Sequence, residues 1–177
     1  MFRYDLYRYY GEARETVFQR FTRPLELRYI YWKRRYEQAH NAFVRYFSIL
    51  RMRKISRKTF IQIPKNTKIG RGFYLGHTGS VIINGRAVLG ENVNIATGVT
   101  IGQENRGKRR GVPKIGNCVW IGTNAVVVGD ITIGNDVLIA PLGFVNFDVP
   151  DHSVVIGNPA RIIPVKWATE HYITKTV

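Results

Sequence analysis

The stretch VWIGTNAVVVGDITIGNDVLIA, residues 119–140, puts an aliphatic side chain at Ile121, Val127, Ile133 and Ile139, every sixth position. An α-helix repeats every 3.6 residues and a strand every two, so neither alone makes a period of six. Working outward, the spacing includes Ile115 on one side and Val145 on the other. Further upstream it returns at Ile63, Ile69 and Leu75, then at Ile83, Leu89, Ile95 and Ile101. All thirteen positions hold Ile, Leu or Val, and Gly follows in seven of them (Gly70, Gly76, Gly90, Gly102, Gly116, Gly122 and Gly134). A hexapeptide period predicts a parallel β-helix. Each hexad is a short strand plus a corner, with the aliphatic residue stacked inward and the Gly turning the backbone where a Cβ would crowd. The position four later also points inward and is mostly small, as at Thr67, Ala87, Val93 and Ala125, with Phe73 the bulky exception. Thirteen hexads at three per turn predict a little over four coils, stabilised between neighbours and in need of caps at the ends.

The rhythm breaks twice. Leu75 to Ile83 is two residues too long, around His77-Thr78-Gly79-Ser80, and Ile101 to Ile115 is eight too long, within 103–114. A solenoid accommodates insertions that leave the coil, and such excursions carry function.

Charge is unevenly placed. The net value is +15, and residues 1–60 alone hold 15 Lys+Arg against 5 Asp+Glu. The one cysteine, Cys118, rules out an internal disulfide and suits a reducing cytoplasm. No apolar run reaches the roughly 18 residues that span a bilayer, and the basic N-terminus lacks a signal-peptide core. Residues 1–60 read as a basic, aromatic helical segment with two stripes: Leu6, Tyr10, Ala13, Val17 and Phe21, then, after Pro24, Trp32, Tyr36, Ala39, Phe43, Phe47 and Leu50. The segment reads as a cap over the first coil. A second reading makes it a surface for an anionic polymer or for the headgroups of the inner membrane face. No nucleic-acid-binding motif accompanies the charge.

Gly-His-Thr-Gly at 76–79, Gly-Val-Thr-Ile-Gly at 98–102, Pro-Lys-Ile-Gly at 113–116 and Val-Trp-Ile-Gly-Thr-Asn-Ala at 119–125 resemble the hexapeptide-repeat acyltransferases. The exit, Asp148-Val149-Pro150 then Gly157-Asn158-Pro159-Ala160-Arg161, is similar too. The resemblance covers about 62–164, within a β-helix domain expected over 61–164, followed by a tail at 165–177. It is to the branch that holds serine acetyltransferases and the O-acetyltransferases of surface-polysaccharide synthesis. It implies a left-handed β-helix and a homotrimer, with acetyl-CoA in clefts between subunits.

His77 aligns with the family's catalytic histidine. Acetyl transfer to a hydroxyl needs a base for the proton, and imidazole titrates near neutrality. His40 on the helix, His152 in the exit and His171 in the tail read as structural or solvated. Several positions depart from the serine-specific pattern. The carboxylate fifteen residues before the histidine is Gln62, the acid just before it is Gly76, and the Arg-His pair before Pro-Lys-Ile is Gly111-Val112. The donor side is retained, which favours a sugar hydroxyl as acceptor; serine or an amino-sugar amine is the alternative. Candidate acceptor contacts are Gln62, which also offers an amide oxygen to orient His77, together with Asn84, Glu104 and Arg106. For the donor, the resemblance implies Gly102, Gly122, Thr123, Ala140 and Pro141, with Arg161 and Lys166 for the phosphates. Gly102 or Gly122 is a candidate N–H donor to the thioester oxyanion. A zinc enzyme on the same scaffold needs three histidines at one metal, and no metal site is expected here. A non-enzymatic, polymer-binding β-helix is the remaining reading.

Overall fold

The computed structural model describes residues 1–177. Four helices precede fifteen short strands: α1 (Phe2–Tyr10), α2 (Val17–Thr22), α3 (Leu25–Gln38) and α4 (Ala42–Thr59). The strands wind into a parallel solenoid with three faces. The first face stacks β1 (Ile61–Gln62), β4 (Val81–Ile83), β7 (Thr100–Gly102), β10 (Val126–Val128) and β13 (Phe144–Val145). The second stacks β2 (Lys68–Ile69), β5 (Val88–Leu89), β8 (Lys114–Ile115) and β11 (Thr132–Ile133). The third stacks β3 (Tyr74–Leu75), β6 (Asn94–Ile95), β9 (Val119–Ile121), β12 (Val137–Ile139) and β14 (Ser153–Gly157), closed by antiparallel β15 (Ala160–Pro164).

Register follows the hexads. Leu75, Ile95, Ile121 and Ile139 pair in one column, and Ile83, Ile101 and Val127 in another. The thirteen hexad aliphatics are all buried, at 7% exposure or less. Each such side chain contributes about 1.5–3 kcal/mol when fully buried. The winding is longer than the period predicts, because spacing contracts after Val145. Val149 bridges to Ile133 on the second face and Val155 pairs with Ile139 on the third, which makes about five coils. The contraction hides these two sides from a search at period six.

The helical segment is four helices rather than two stripes. Gly11, at φ 76°, ends α1, and α2 starts at a capping box between Thr16 and Gln19. Asn41 caps α4 by accepting the Phe43 N–H, so Ala39-His40-Asn41 breaks the second stripe, and His40 lies in that connection, not on a helix. α4 turns Ser48, Met52, Ile55 and Thr59 inward, and Met52 and Ile55 join the solenoid core as an end cap.

Arg34 fixes the cap. It is fully buried and bonds both Asp5 carboxylate oxygens at 2.8 and 3.1 Å, Glu37 at 3.0 Å, and the carbonyls of Ile69 and Gly70 at 2.8 and 2.6 Å. A buried charge is tolerated when it is paired and its donors are satisfied, as here.

Residues 165–177 are not a loose tail. They run back along the third face. Asp136 accepts the Ala168 and Thr169 N–H groups and the Thr169 hydroxyl, at 2.6–3.0 Å. Tyr172 packs on Trp120 with ring centres 4.8 Å apart. Asn94 donates to the Tyr172 carbonyl, Asn92 bonds both N–H and carbonyl of Val177, and Lys175 reaches the Tyr9 carbonyl of α1.

Candidate active site

His77 sits at the corner between the third and first faces, in the turn from β3 to β4. Its side chain is exposed and makes no hydrogen bond within the chain, leaving both ring nitrogens available. The turn around it is fixed. A Cβ at Gly79 would lie 2.1 Å from the Thr97 hydroxyl oxygen, so only glycine lets the insertion lie this close to the next coil. The Gly98 N–H donates to the Ser80 carbonyl at 2.6 Å.

Two helical residues bracket His77. On one side the Tyr9 hydroxyl donates to the Leu75 carbonyl at 2.9 Å and accepts the Leu75 N–H at 3.1 Å, while its ring packs 4.5 Å from Tyr74. Burial pushes the Tyr9 hydroxyl well above its ordinary range, so it stays a donor. On the other side the Thr78 hydroxyl donates to the buried Glu26 carboxylate at the start of α3. Glu26 has no cationic partner, and its second oxygen accepts no bond from the protein. In the sequence Thr78 stands out only as part of the insertion and the Gly-His-Thr-Gly motif, and Tyr9 and Glu26 do not stand out at all. The two contacts span 66 and 52 residues, and nothing local marks them.

The same corner carries most of the donor-side candidates. Ala96, Gly122 and Ala140 follow Ile95, Ile121 and Ile139 in register and stack above Gly76, with Thr123 and Pro141 beside them. Coils spaced about 4.8 Å apart make this column a straight edge. A Cβ at Gly122 would lie 2.6 Å from the Pro141 nitrogen, so that glycine is required by packing alone. Its N–H donates to the Ile139 carbonyl at 2.8 Å and is therefore committed, which removes it as an oxyanion donor. Arg161 lines an open cleft with Gly157, Asn158 and Pro159 at the top of the edge, and Lys166 lies against Trp167.

The acceptor-side candidates fall elsewhere. Asn84 and the 103–114 loop lie at the next corner, between the first and second faces, and so does Gly102, a donor-side candidate that the fold separates from the edge carrying Gly122 and Ala140. The Asn84 side chain accepts the Arg86 N–H at 2.9 Å, as a turn cap does. Glu104 and Gly111 bridge to make the loop a small hairpin, and the Glu104 carboxylate folds back onto the amides of Asn105 and Arg106. Arg106 projects into solvent. Gln62 lies on the outer side of the first face and lines a cavity of about 310 Å³ with Tyr29, Met52 and Ser56. It makes no bond to His77, and neither does a backbone carbonyl. Within one chain, His77 and the loop thus occupy opposite edges of the first face.

His152 is held by Asp136 at 2.8 Å and sits edge-on to Trp167, a structural role. No three His, Cys, Asp or Glu side chains converge, and no helix is long and apolar enough to cross a membrane.

The family model "Bacterial transferase hexapeptide (six repeats)" matches residues 113–142. The chain belongs to the hexapeptide-repeat family. Within that family it is similar to serine acetyltransferases. It is 35% identical over 133 residues to the serine acetyltransferase of Bacillus pumilus (strain SAFR-032), covering 75% of this chain and 61% of the relative. It is 38% identical over 116 residues to the chloroplastic serine acetyltransferase 1 of Arabidopsis thaliana, covering 66% of this chain and 37% of the relative. The crystal structure of serine acetyltransferase in complex with coenzyme A from Brucella abortus strain S19 superposes with a TM-score of 0.76 at 27% identity, over 93% of this chain and 66% of that one. The chain thus spans between about a third and three fifths of the length of these curated relatives.

Proposed function

We propose that the chain is an acetyl-CoA-dependent O-acetyltransferase that works as a homotrimer, with His77 as general base. His77 takes the proton of the acceptor hydroxyl as its oxygen attacks the thioester carbonyl. The resulting imidazolium returns that proton to the departing thiolate, giving an acetyl ester and free CoA. A positioned base of this kind contributes about 10²–10⁴-fold. One observation carries the reading: an unbonded imidazole stands at the foot of the stacked edge formed by Ala96, Gly122, Thr123, Ala140 and Pro141. That edge suits an elongated donor, and Arg161 near its top suits a phosphate; Lys166, at the far end of β15 beside Trp167 and His152, stands on the opposite corner of the third face and lends this edge no support. Gln62, Asn84, Glu104 and Arg106 are then acceptor-side groups presented by a neighbouring copy. The place of Asn84, Glu104 and Arg106 on the opposite edge of the first face supports the trimer, and Gln62 stands on the face between, beside Ile82. That face's outer surface, where Ile82 and Phe144 lie exposed, supports it too.

Two acceptors have support. The relatives favour serine. The departures at Gln62, Gly76 and Gly111-Val112 favour a sugar hydroxyl of a surface polysaccharide or its precursor. The test is release of free thiol from acetyl-CoA with L-serine and with a panel of saccharides, comparing wild type with His77→Ala. Release that needs an acceptor and disappears in the variant supports the reading, and the better acceptor decides between the two. Release unchanged in His77→Ala removes the histidine from the chemistry, and no release with any acceptor removes the enzyme.

A further inference from the structure

The helices turn a second apolar surface away from the coils. In α2 no residue is buried, and Val17, Phe18 and Phe21 are 74–76% exposed although a capping box holds the helix in place. In α4, opposite its buried side, Phe43, Tyr46, Phe47 and Leu50 recur at helical spacing and are 40–74% exposed. α4 carries six basic residues and no acidic one. Between these surfaces lies a cleft of about 370 Å³ lined by Arg20, Phe21, Arg23, Arg28, Trp32 and Arg51. Arg23 is paired with Glu15, and Arg28 donates to the carbonyls of Phe21 and Arg23 at 2.7 Å. Arg20 and Arg51 have no carboxylate partner, and Arg51 stacks over Trp32 and Phe47.

We propose that this face docks on an anionic phospholipid bilayer, with a lipid phosphate held between Arg20 and Arg51 and the phenylalanines seated among the acyl chains just below. The occupant follows from charge. A segment with 15 Lys+Arg against 5 Asp+Glu repels a second copy of itself and attracts an anionic surface. Guanidinium donors match phosphate oxygens in geometry. Exposed aromatics on a short helix bury about 5–10 Å into an interface, deeper than a soluble polymer offers. A solvated basic surface does not need seven large apolar side chains in the open.

The test is co-sedimentation of the full chain with vesicles of phosphatidylcholine alone and of phosphatidylglycerol and phosphatidylcholine in equal parts. Binding to the anionic vesicles only, weakened by salt, is expected. Arg20→Gln with Arg51→Gln lowers that binding about 30-fold, at the known gain per basic residue near a charged leaflet. Phe18→Ser with Phe21→Ser lowers it by about a hundredfold or more. These four side chains are exposed, and unchanged circular dichroism melts confirm that the variants fold. Equal binding to both vesicles, no binding to either, or unaltered binding by both variants overturns the proposal. Inorganic phosphate bound with no vesicle binding assigns the cleft to a soluble anion instead. A mass in sedimentation that doubles with concentration, and ceases to do so in the phenylalanine variant, assigns the face to a second copy. Vesicle binding needs no acetyl transfer, so this proposal and the enzymatic one fail separately.

Discussion

An imidazole without a hydrogen-bond partner turns freely, so what places His77 must be the backbone beneath it. Tyr9 holds the residue two before it and Glu26 holds the residue after it. Removing the second tie by Glu26→Ala or Thr78→Val is expected to lower kcat by roughly ten- to a hundredfold, as small misplacements of a catalytic group do. KM for acetyl-CoA stays unchanged, and Glu26→Gln and Thr78→Ser, which keep the bond, restore kcat. Steady-state kinetics reads this directly, and a loss confined to KM for the donor would remove Glu26 from the catalytic corner. His77→Ala keeps its melting temperature, because the side chain is exposed and makes no hydrogen bond, while acetyl transfer falls by about 10²–10⁴-fold. The insertion that carries His77 was legible in the sequence because it interrupts a strict rhythm, and the resemblance named its histidine. Glu26 was not: an acid early in an amphipathic helix is ordinary helix chemistry, and only the packed structure brings it to Thr78.

At the level of elements, the hexads announced strand positions, inward residues and register almost completely, since each coil repeats the same local solution. The helices were harder. Tyr, Phe and Arg on every side of α4 blur its periodicity, and its true inward face, Ser48-Met52-Ile55-Thr59, is the less aromatic one. Arg34 reads from sequence as a solvated cation but is the pin that joins α1, α3 and the first coil. Arg34→Ala leaves the Asp5 carboxylate buried and unpaired and is expected to cost about 3–5 kcal/mol in a denaturant titration. Asp136 ties down residues 168–169. Its burial opposes ionisation, but bonds from Thr169, His152 and Ala168 outweigh it and hold the carboxyl below its ordinary 3.8. A depressed folded value adds stability above pH 3.8 that is lost as pH falls through the folded value. Protection of the Thr169 amide, relative to the free-chain exchange rate at each pH, should therefore fall in acid, and Asp136→Asn should remove that pH dependence.

For the whole molecule, the proposed function divides the site: its two halves lie on opposite edges of one face, and one chain completes neither. Two inactive variants should therefore help each other. A His77→Ala copy still presents its loop, and a copy with 104–111 shortened to a Gly-Gly link still presents His77. Co-expressed and co-purified, they are expected to regain acetyl transfer that neither shows alone. Failure of mixed assemblies to regain activity would place the loop outside the site. The hexad period fixes where a corner falls but not which copy faces it, so in the sequence only the family resemblance points to clefts between subunits.

Residues 165–177 change how such a repeat protein comes apart. Stacked coils normally fray from an open end, one rung at a time. Here the chain leaves the last coil, descends past Asp136, Trp120 and Asn94, and fastens beside Tyr9, so the top rung is laced to the bottom. Loosening the last coil then also loosens the lacing over the first. The ladder is expected to open as a single cooperative block, with protection from exchange nearly level along the third face.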